Sequence, residues 1–98
     1  MIISKDNKIP TLYSQENVKD PLVYVVIMCQ GAVWLLTELD REKQIAFGYA
    51  QLYPGGGELG YVSLEEIEEL KTKYIVEVVE LEEPKPLSQL KKEMHLEG

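Results

Sequence analysis

The sequence predicts an α+β fold, an antiparallel sheet of four to five strands with one face covered by a capped helix and a short C-terminal helix. Three observations predict it. The 98 residues leave room for one small domain only. Between residues 22 and 62, β-rich segments follow one another across short turns. A helix-start signal comes next, at Ser63.

The first half of the chain contains the strands. Residues 1–21 form an irregular lead-in that ends at the turn signal Asp20-Pro21. Residues 22–62 form a predicted four-stranded antiparallel meander, because runs of β-branched and aromatic residues alternate with turn residues. Its strands are predicted at 22–29, 33–39, 45–53 and 58–62. In the third strand, Gly48 indicates a bulge or the close approach of another segment.

The second half of the chain adds two helices and a fifth strand. Ser63 and Glu66 have capping-box spacing and predict a helix over 63–73. Helical periodicity turns one set of side chains towards the sheet (Leu64, Ile67, Leu70 and Tyr74) and another away from it (Glu65, Glu66, Glu68 and Glu69). A strand is predicted at 74–81 and a terminal helix at 87–95, with Leu87, Leu90 and Met94 on one side.

Negative charge is concentrated in the second half of the chain. The net charge is −7; residues 1–57 carry six acids and five bases, whereas residues 58–98 carry 11 acids and five bases. Such a surface repels nucleic acid, whose binding needs Lys and Arg, and it attracts basic proteins. We therefore expect a basic protein surface as the partner and no direct binding of nucleic acid.

Apart from its carboxylates, this chain has few residues with catalytic or metal-binding chemistry. A single Cys, Cys29, lies in an apolar run, and a single His, His95, stands near the C-terminus, so we predict no metal site. The stretch 55–60 matches G-x-G-x-x-G, but a strand follows it where a phosphate site needs a helix. No cofactor-binding and no catalytic residue is assigned.

Localisation follows from what the N-terminal region and the apolar run lack. No apolar leader follows the N-terminus, which carries charges by its fifth residue. The most apolar stretch, Leu22–Leu36, has 15 residues and a polar break, short of the ~20 that a bilayer needs. We expect a cytoplasmic protein with no membrane span.

Several short motifs are spread along nearly the whole chain. The most specific is the string from Glu58 to Glu66, Glu-Leu-Gly-Tyr-Val-Ser-Leu-Glu-Glu. The shorter ones are Leu12-Tyr13, Asp20-Pro21, Trp34, Thr37-Glu38, Asp40, Phe47-Gly48 and 86–90. Together these motifs resemble an uncharacterised family of small proteins carried by bacterial plasmids and conjugative elements. The chain departs from the family pattern at Val78 and Val79, where relatives carry charges, and at Leu35 and Leu36, where they carry aromatics. By analogy with small acidic proteins of mobile elements, the resemblance implies an inhibitor of host defence.

The leading hypothesis is therefore a non-enzymatic protein-binding module that inhibits a nucleic-acid-handling defence complex, such as an RNA-guided CRISPR nuclease. The expected partner-binding residues are Glu65, Glu66, Glu68 and Glu69 on the helix and Trp34, Glu38, Glu58 and Tyr61 on the strands. Three alternatives stay open. They are an enzyme such as a nuclease or hydrolase that uses Glu38, Asp40 or Glu58, an accessory protein of plasmid maintenance or conjugation, and a solvated acidic helix without a partner. Self-association as a homodimer, through a strand edge or an aromatic patch at Trp34, is a further expectation.

Overall fold

A computed structural model describes residues 2–96 and confirms the α+β class. Five antiparallel strands form one open sheet in the order β4-β3-β2-β1-β5. The elements, in chain order, are β1 Leu22–Cys29, β2 Ala32–Asp40, β3 Ile45–Gln51, β4 Gly57–Ser63, α1 Leu64–Leu70, β5 Glu77–Pro86 and α2 Leu87–Glu93.

The central strands β1 and β2 are buried on both faces, as their continuous apolar runs require. The turn between them is tight. Gln30 and Gly31 both have positive φ, 50° and 84°, which is the geometry of a two-residue hairpin turn whose twist matches the strands. Cys29, the last residue of β1, is a buried free thiol.

The two helices lie on opposite faces of the sheet, and the prediction that both cover one face is wrong. Leu64 and Ile67 of α1 pack against one face with Val25, Ile27, Trp34 and Leu36. Leu87 and Leu90 of α2 pack against the other with Val23, Val26, Leu35 and Tyr49. We call these the α1 face and the α2 face. Since β1 and β2 carry apolar side chains on both faces, each face needs its own cover.

Gly48 marks both features that its position predicts, a close approach and a bulge. It lies opposite Leu36, and a Cβ added there would overlap the backbone carbonyl of Leu35. Next to this contact the β2–β3 register shifts between Leu36 and Glu38, so that Thr37 is an extra residue in β2. The Thr37 hydroxyl donates to the carbonyl of Phe47 at 3.1 Å. The bulge therefore lies in the strand opposite the glycine.

The lead-in is irregular, as predicted, but it contributes to the core. Three isoleucines that the sequence analysis did not single out, Ile2, Ile3 and Ile9, are buried on the α1 face. Glu80 of β5 fastens this segment, since its carboxylate accepts from the Ser4 hydroxyl at 2.7 Å and from the Asn7 amide at 2.9 Å. Desolvation raises the pKa of Glu80, but these hydrogen bonds and the charge of Arg41 outweigh it and hold the pKa below its ordinary value.

Several element boundaries differ from the prediction. Helix α1 ends at Leu70 and not at residue 73, β3 ends at Gln51 and not at residue 53, and α2 ends at Glu93 and not at residue 95. Strand β5 runs from Glu77 to Pro86 and not over 74–81, so Tyr74 precedes it and is 45% exposed. The prolines of β5 are tolerated because it is an edge strand. Within residues 2–96, no helix has the length and apolar character of a membrane span.

Candidate functional site

A row of three side chains runs across the α2 face to the edge of the sheet. The register pairs Glu38 of β2 with Phe47 of β3, and Phe47 with Tyr61 of β4. Because Thr37 is a bulge, the alternation of side chains is reset and Glu38 faces the same side as Leu35. The Phe47 and Tyr61 rings meet edge to face, with centroids 5.2 Å apart.

Glu38 is the buried acid of this row, with only 4% of its surface exposed. Its carboxylate is compensated by the lead-in, because Oε1 accepts from the Tyr13 backbone N–H at 2.8 Å and Oε2 from the Gln15 N–H at 2.7 Å. Short hydrogen bonds of this kind offset the cost of burying a charge. Glu38 therefore fixes the backbone of residues 13–15 above the sheet.

Tyr13 is held there in a strained conformation. Its φ of 72° lies in the left-handed region, which costs a residue with a Cβ about 1–2 kcal/mol. Its side chain is 61% exposed, so burial of apolar surface does not explain the strain. The Tyr13 hydroxyl accepts a hydrogen bond from the Tyr61 hydroxyl at 3.1 Å. The strain thus positions an exposed tyrosine next to a second one, a pattern typical of binding sites.

These residues enclose a cleft of about 280 Å³, which we call the tyrosine cleft. Its walls and floor include Tyr13, Gln15, Thr37, Glu38, Phe47 and Tyr61, and Glu16 and Lys19 stand at its rim. The hydrogen bond to Tyr13, followed by desolvation and by the charges of Tyr13, Glu38 and Glu16, raises the pKa of Tyr61 above its ordinary value. Tyr61 therefore stays protonated at neutral pH and remains a hydrogen-bond donor.

Aromatic rings beside a buried carboxylate favour a positively charged guest. A guanidinium or ammonium group is attracted by ring faces, and the attraction grows as the group loses water. The volume of the cleft suits one long side chain rather than a drug-sized ligand. The cleft can therefore receive the tip of an Arg or Lys side chain.

The three carboxylates considered as acid and base do not converge. Glu58 lies on the α1 face, where it pairs across the strands with Ala50, which in turn pairs with Trp34. The Glu38 side chain points to the α2 face. Asp40 accepts from the Lys43 N–H at 3.0 Å and closes the β2–β3 turn. Within residues 2–96, no three His, Cys, Asp or Glu side chains cluster as a metal ion requires.

The other predicted site residues surround a second hollow, on the α1 face. A groove of about 360 Å³ lies between β4 and α1, and Glu58, Glu66 and Trp34 are among the residues that line it. We call it the α1 groove. Trp34 is only 9% exposed and belongs to the core, so it offers a partner little surface. Glu58 and Glu66 are exposed.

The acidic side of α1 faces solvent, as its periodicity predicts. Glu65, Glu66, Glu68 and Glu69 are all exposed. Glu68 lies 3.8 Å from Lys71, and both side chains are nearly half exposed. The Ser63 hydroxyl accepts from the Glu66 N–H at 3.3 Å, which confirms the predicted cap.

Sequence analysis did not identify Tyr13 as a site residue. Gly48 was the available signal for the neighbouring bulge, but nothing local in the sequence marks the hydrogen bonds that Glu38 accepts from residues 25 and 23 positions earlier in the chain.

A family model described as a protein of unknown function, DUF2958, matches residues 4–94. No curated protein and no solved structure matches the chain.

Proposed function

The chain belongs to the DUF2958 family of proteins of unknown function, and on the geometry of its tyrosine cleft we propose that it is a non-enzymatic protein-binding module for a basic partner. The observation that carries the proposal is the strained Tyr13, held by buried Glu38 beside exposed Tyr61. This arrangement holds two aromatic rings and a carboxylate in place before a partner arrives. It suits an Arg or Lys side chain at the centre of a protein interface, where such anchored contacts dominate binding energy.

The charge distribution supports the same type of partner. The net charge of −7 is concentrated after residue 57, and the exposed carboxylates of α1 lie in that part of the chain. Basic surfaces that bind DNA or RNA complement such a field, which speeds their encounter with the module. We therefore propose that the module occupies a basic groove of a nucleic-acid-handling complex. The leading example is an RNA-guided CRISPR nuclease of host defence. This choice rests on our further proposal that the protein comes from a mobile element, by analogy with the small acidic proteins of such elements.

The test is a plasmid-interference assay in cells that carry an active RNA-guided nuclease, with affinity capture of the module from the same cells. The module should raise plasmid survival and retain the nuclease, whereas a Tyr13→Gly, Tyr61→Ser variant that folds normally should do neither. A Tyr74→Ser variant, which removes an exposed tyrosine elsewhere, is the matched control. Unchanged interference together with no capture of any nucleic-acid-binding protein would contradict the proposal.

A further inference from the structure

Strand β4 presents an unprotected edge of the sheet. It is the terminal strand, and all seven of its residues pair in register with β3 without a bulge. Among residues 2–96, the backbone hydrogen bonds made outside helices and strands involve none of residues 57–63. The outward N–H and C=O groups of β4 therefore form a template to which another strand can add.

The side chains of β4 leave space beside this edge on both faces. On the α2 face, Leu59 and Tyr61 are 54% and 59% exposed. On the α1 face, a Cβ added at Gly60 would meet no atom within 4 Å. An added strand would place one side chain beside Tyr61, on the α2 face, and the next side chain beside Gly60, on the α1 face. Its alternate side chains would then lie at the tyrosine cleft and at the α1 groove.

The charge at this edge selects the occupant. Carboxylates lie on both sides of it, Glu58 and Glu66 at the α1 groove and Glu38 and Glu16 at the tyrosine cleft, where Lys19 offsets one of the two negative charges. A second copy of the chain would bring the same carboxylates and another net charge of −7 to the interface, which opposes self-pairing. A strand with Arg or Lys side chains would meet opposite charge on both faces.

We propose that β4 accepts an extended basic segment of a partner protein as a sixth, edge-added strand of the sheet. The inference rests on the proposed function and specifies how the basic partner binds. Backbone pairing along β4 supplies affinity, and the tyrosine cleft and the α1 groove select positively charged side chains.

The probe is an eight-residue peptide in which Arg-Arg and Val-Val pairs alternate, so that Arg side chains lie on both faces of the added strand. It is compared with the same peptide N-methylated at its four central residues. N-methylation keeps every charge and removes the N–H groups that a strand needs. The unmodified peptide should bind at least tenfold more tightly to the full-length protein, and it should shift the backbone amide resonances of Gly57 and Gly60. Light scattering of the free protein should show a monomer.

Each other outcome overturns a defined part of the account. Equal affinity of the two peptides overturns strand addition, while the proposed binding of basic partners stands. If neither peptide binds, or if a Glu-Val peptide of the same length binds as tightly as the Arg-Val peptide, the proposed function is overturned as well. A dimer whose Gly57 and Gly60 resonances change with protein concentration identifies a second copy as the occupant and overturns the proposal of a basic segment.

Discussion

The two edges of the sheet are built in opposite ways. Strand β5 carries four carboxylates, two prolines and an irregular stretch, since its pairing with β1 shifts by several residues between Val23 and Val25. Strand β4 has one carboxylate, no proline and an unbroken register. Bulges, prolines and charges are the devices by which proteins prevent strands from adding to an edge.

The difference shows where this molecule can be approached. At β5 two prolines and a register shift interrupt the backbone pairing, whereas at β4 the backbone is continuous and bordered by exposed Leu59 and Tyr61. The row that leads from buried Glu38 to the sheet edge also ends at β4. We infer that β4 and the tyrosine cleft form one recognition end and that β5 is the closed end.

Gly48 allows β3, and β4 beyond it, to pair closely with β2. Its substitution should therefore have the largest effect. In Gly48→Ala the new Cβ would overlap the backbone of Leu35. This backbone cannot shift away without breaking the pairing of β2 with β1. We expect a loss of about 3 kcal/mol or more in the free energy of unfolding, measured with urea. Gly60→Ala is the matched control, since its Cβ would enter open space, and it should change stability by less than about 0.5 kcal/mol. Equal losses at the two positions would show that the close approach at Gly48 is not what holds β3.

Charge reversal at the two ends should affect association unequally. The triple variant Glu65→Lys, Glu66→Lys, Glu69→Lys should fold normally, because these side chains are exposed, and should slow association with the Arg-Val peptide about tenfold at physiological salt. Its association rate should also depend less on salt. Stopped-flow fluorescence measures both.

The matched control reverses three exposed carboxylates of β5, in Glu77→Lys, Glu82→Lys, Glu83→Lys. It makes the same change in net charge but leaves Glu80 and its contacts with the lead-in intact. We expect less than about a threefold change in rate, because screening confines each charge to about 8 Å at physiological salt. Equal slowing by both variants would mean that overall charge, and not the β4 end, directs association.

Tyr13 should separate binding from stability. Tyr13→Gly relieves the left-handed strain but removes one wall of the cleft. The affinity for the Arg-Val peptide should fall about tenfold, while the free energy of unfolding should stay level or rise by up to about 1 kcal/mol. Calorimetric titration and urea denaturation measure the two quantities. A large loss of stability with unchanged affinity per folded molecule would make Tyr13 a structural residue.

The Ser63 cap should give the smallest effect. Its hydrogen bond to the Glu66 N–H is long, 3.3 Å, and exposed, so Ser63→Ala should cost only about 0.5 kcal/mol of stability. The intrinsic affinity of the folded protein for the basic peptide should not change. A cost above about 2 kcal/mol would show that α1 depends on this cap far more than its geometry indicates.

Local signals account for the parts of the fold that were predicted. The continuous apolar run of β1, the Gln30-Gly31 turn and the capping box at Ser63 are contained in a few neighbouring residues each. The bounds of β5 were harder to predict, since Pro84 and Pro86 indicate the end of a strand unless the strand is known to be an edge.

The candidate site depends on contacts that are distant in sequence. Glu38 and Tyr61 were named from the sequence, but their shared face results from the bulge at Thr37. Tyr13 joins them only because Glu38 accepts its backbone N–H across 25 residues. Trp34 was expected at an exposed aromatic patch, yet it belongs to the core of the α1 face, where Ile67 and Leu70 line the same groove.

Amide hydrogen exchange, resolved by residue along β4 and β5, tests the central claim most directly. In the free protein the outward amides of both strands should exchange rapidly. With saturating Arg-Val peptide, the exchange of alternate amides within Gly57–Ser63 should slow at least tenfold, and that of Glu77–Pro86 should not change, because only β4 gains a hydrogen-bonded neighbour. Protection at β5, or equal protection of both strands, would contradict the assignment of β4 as the recognition end.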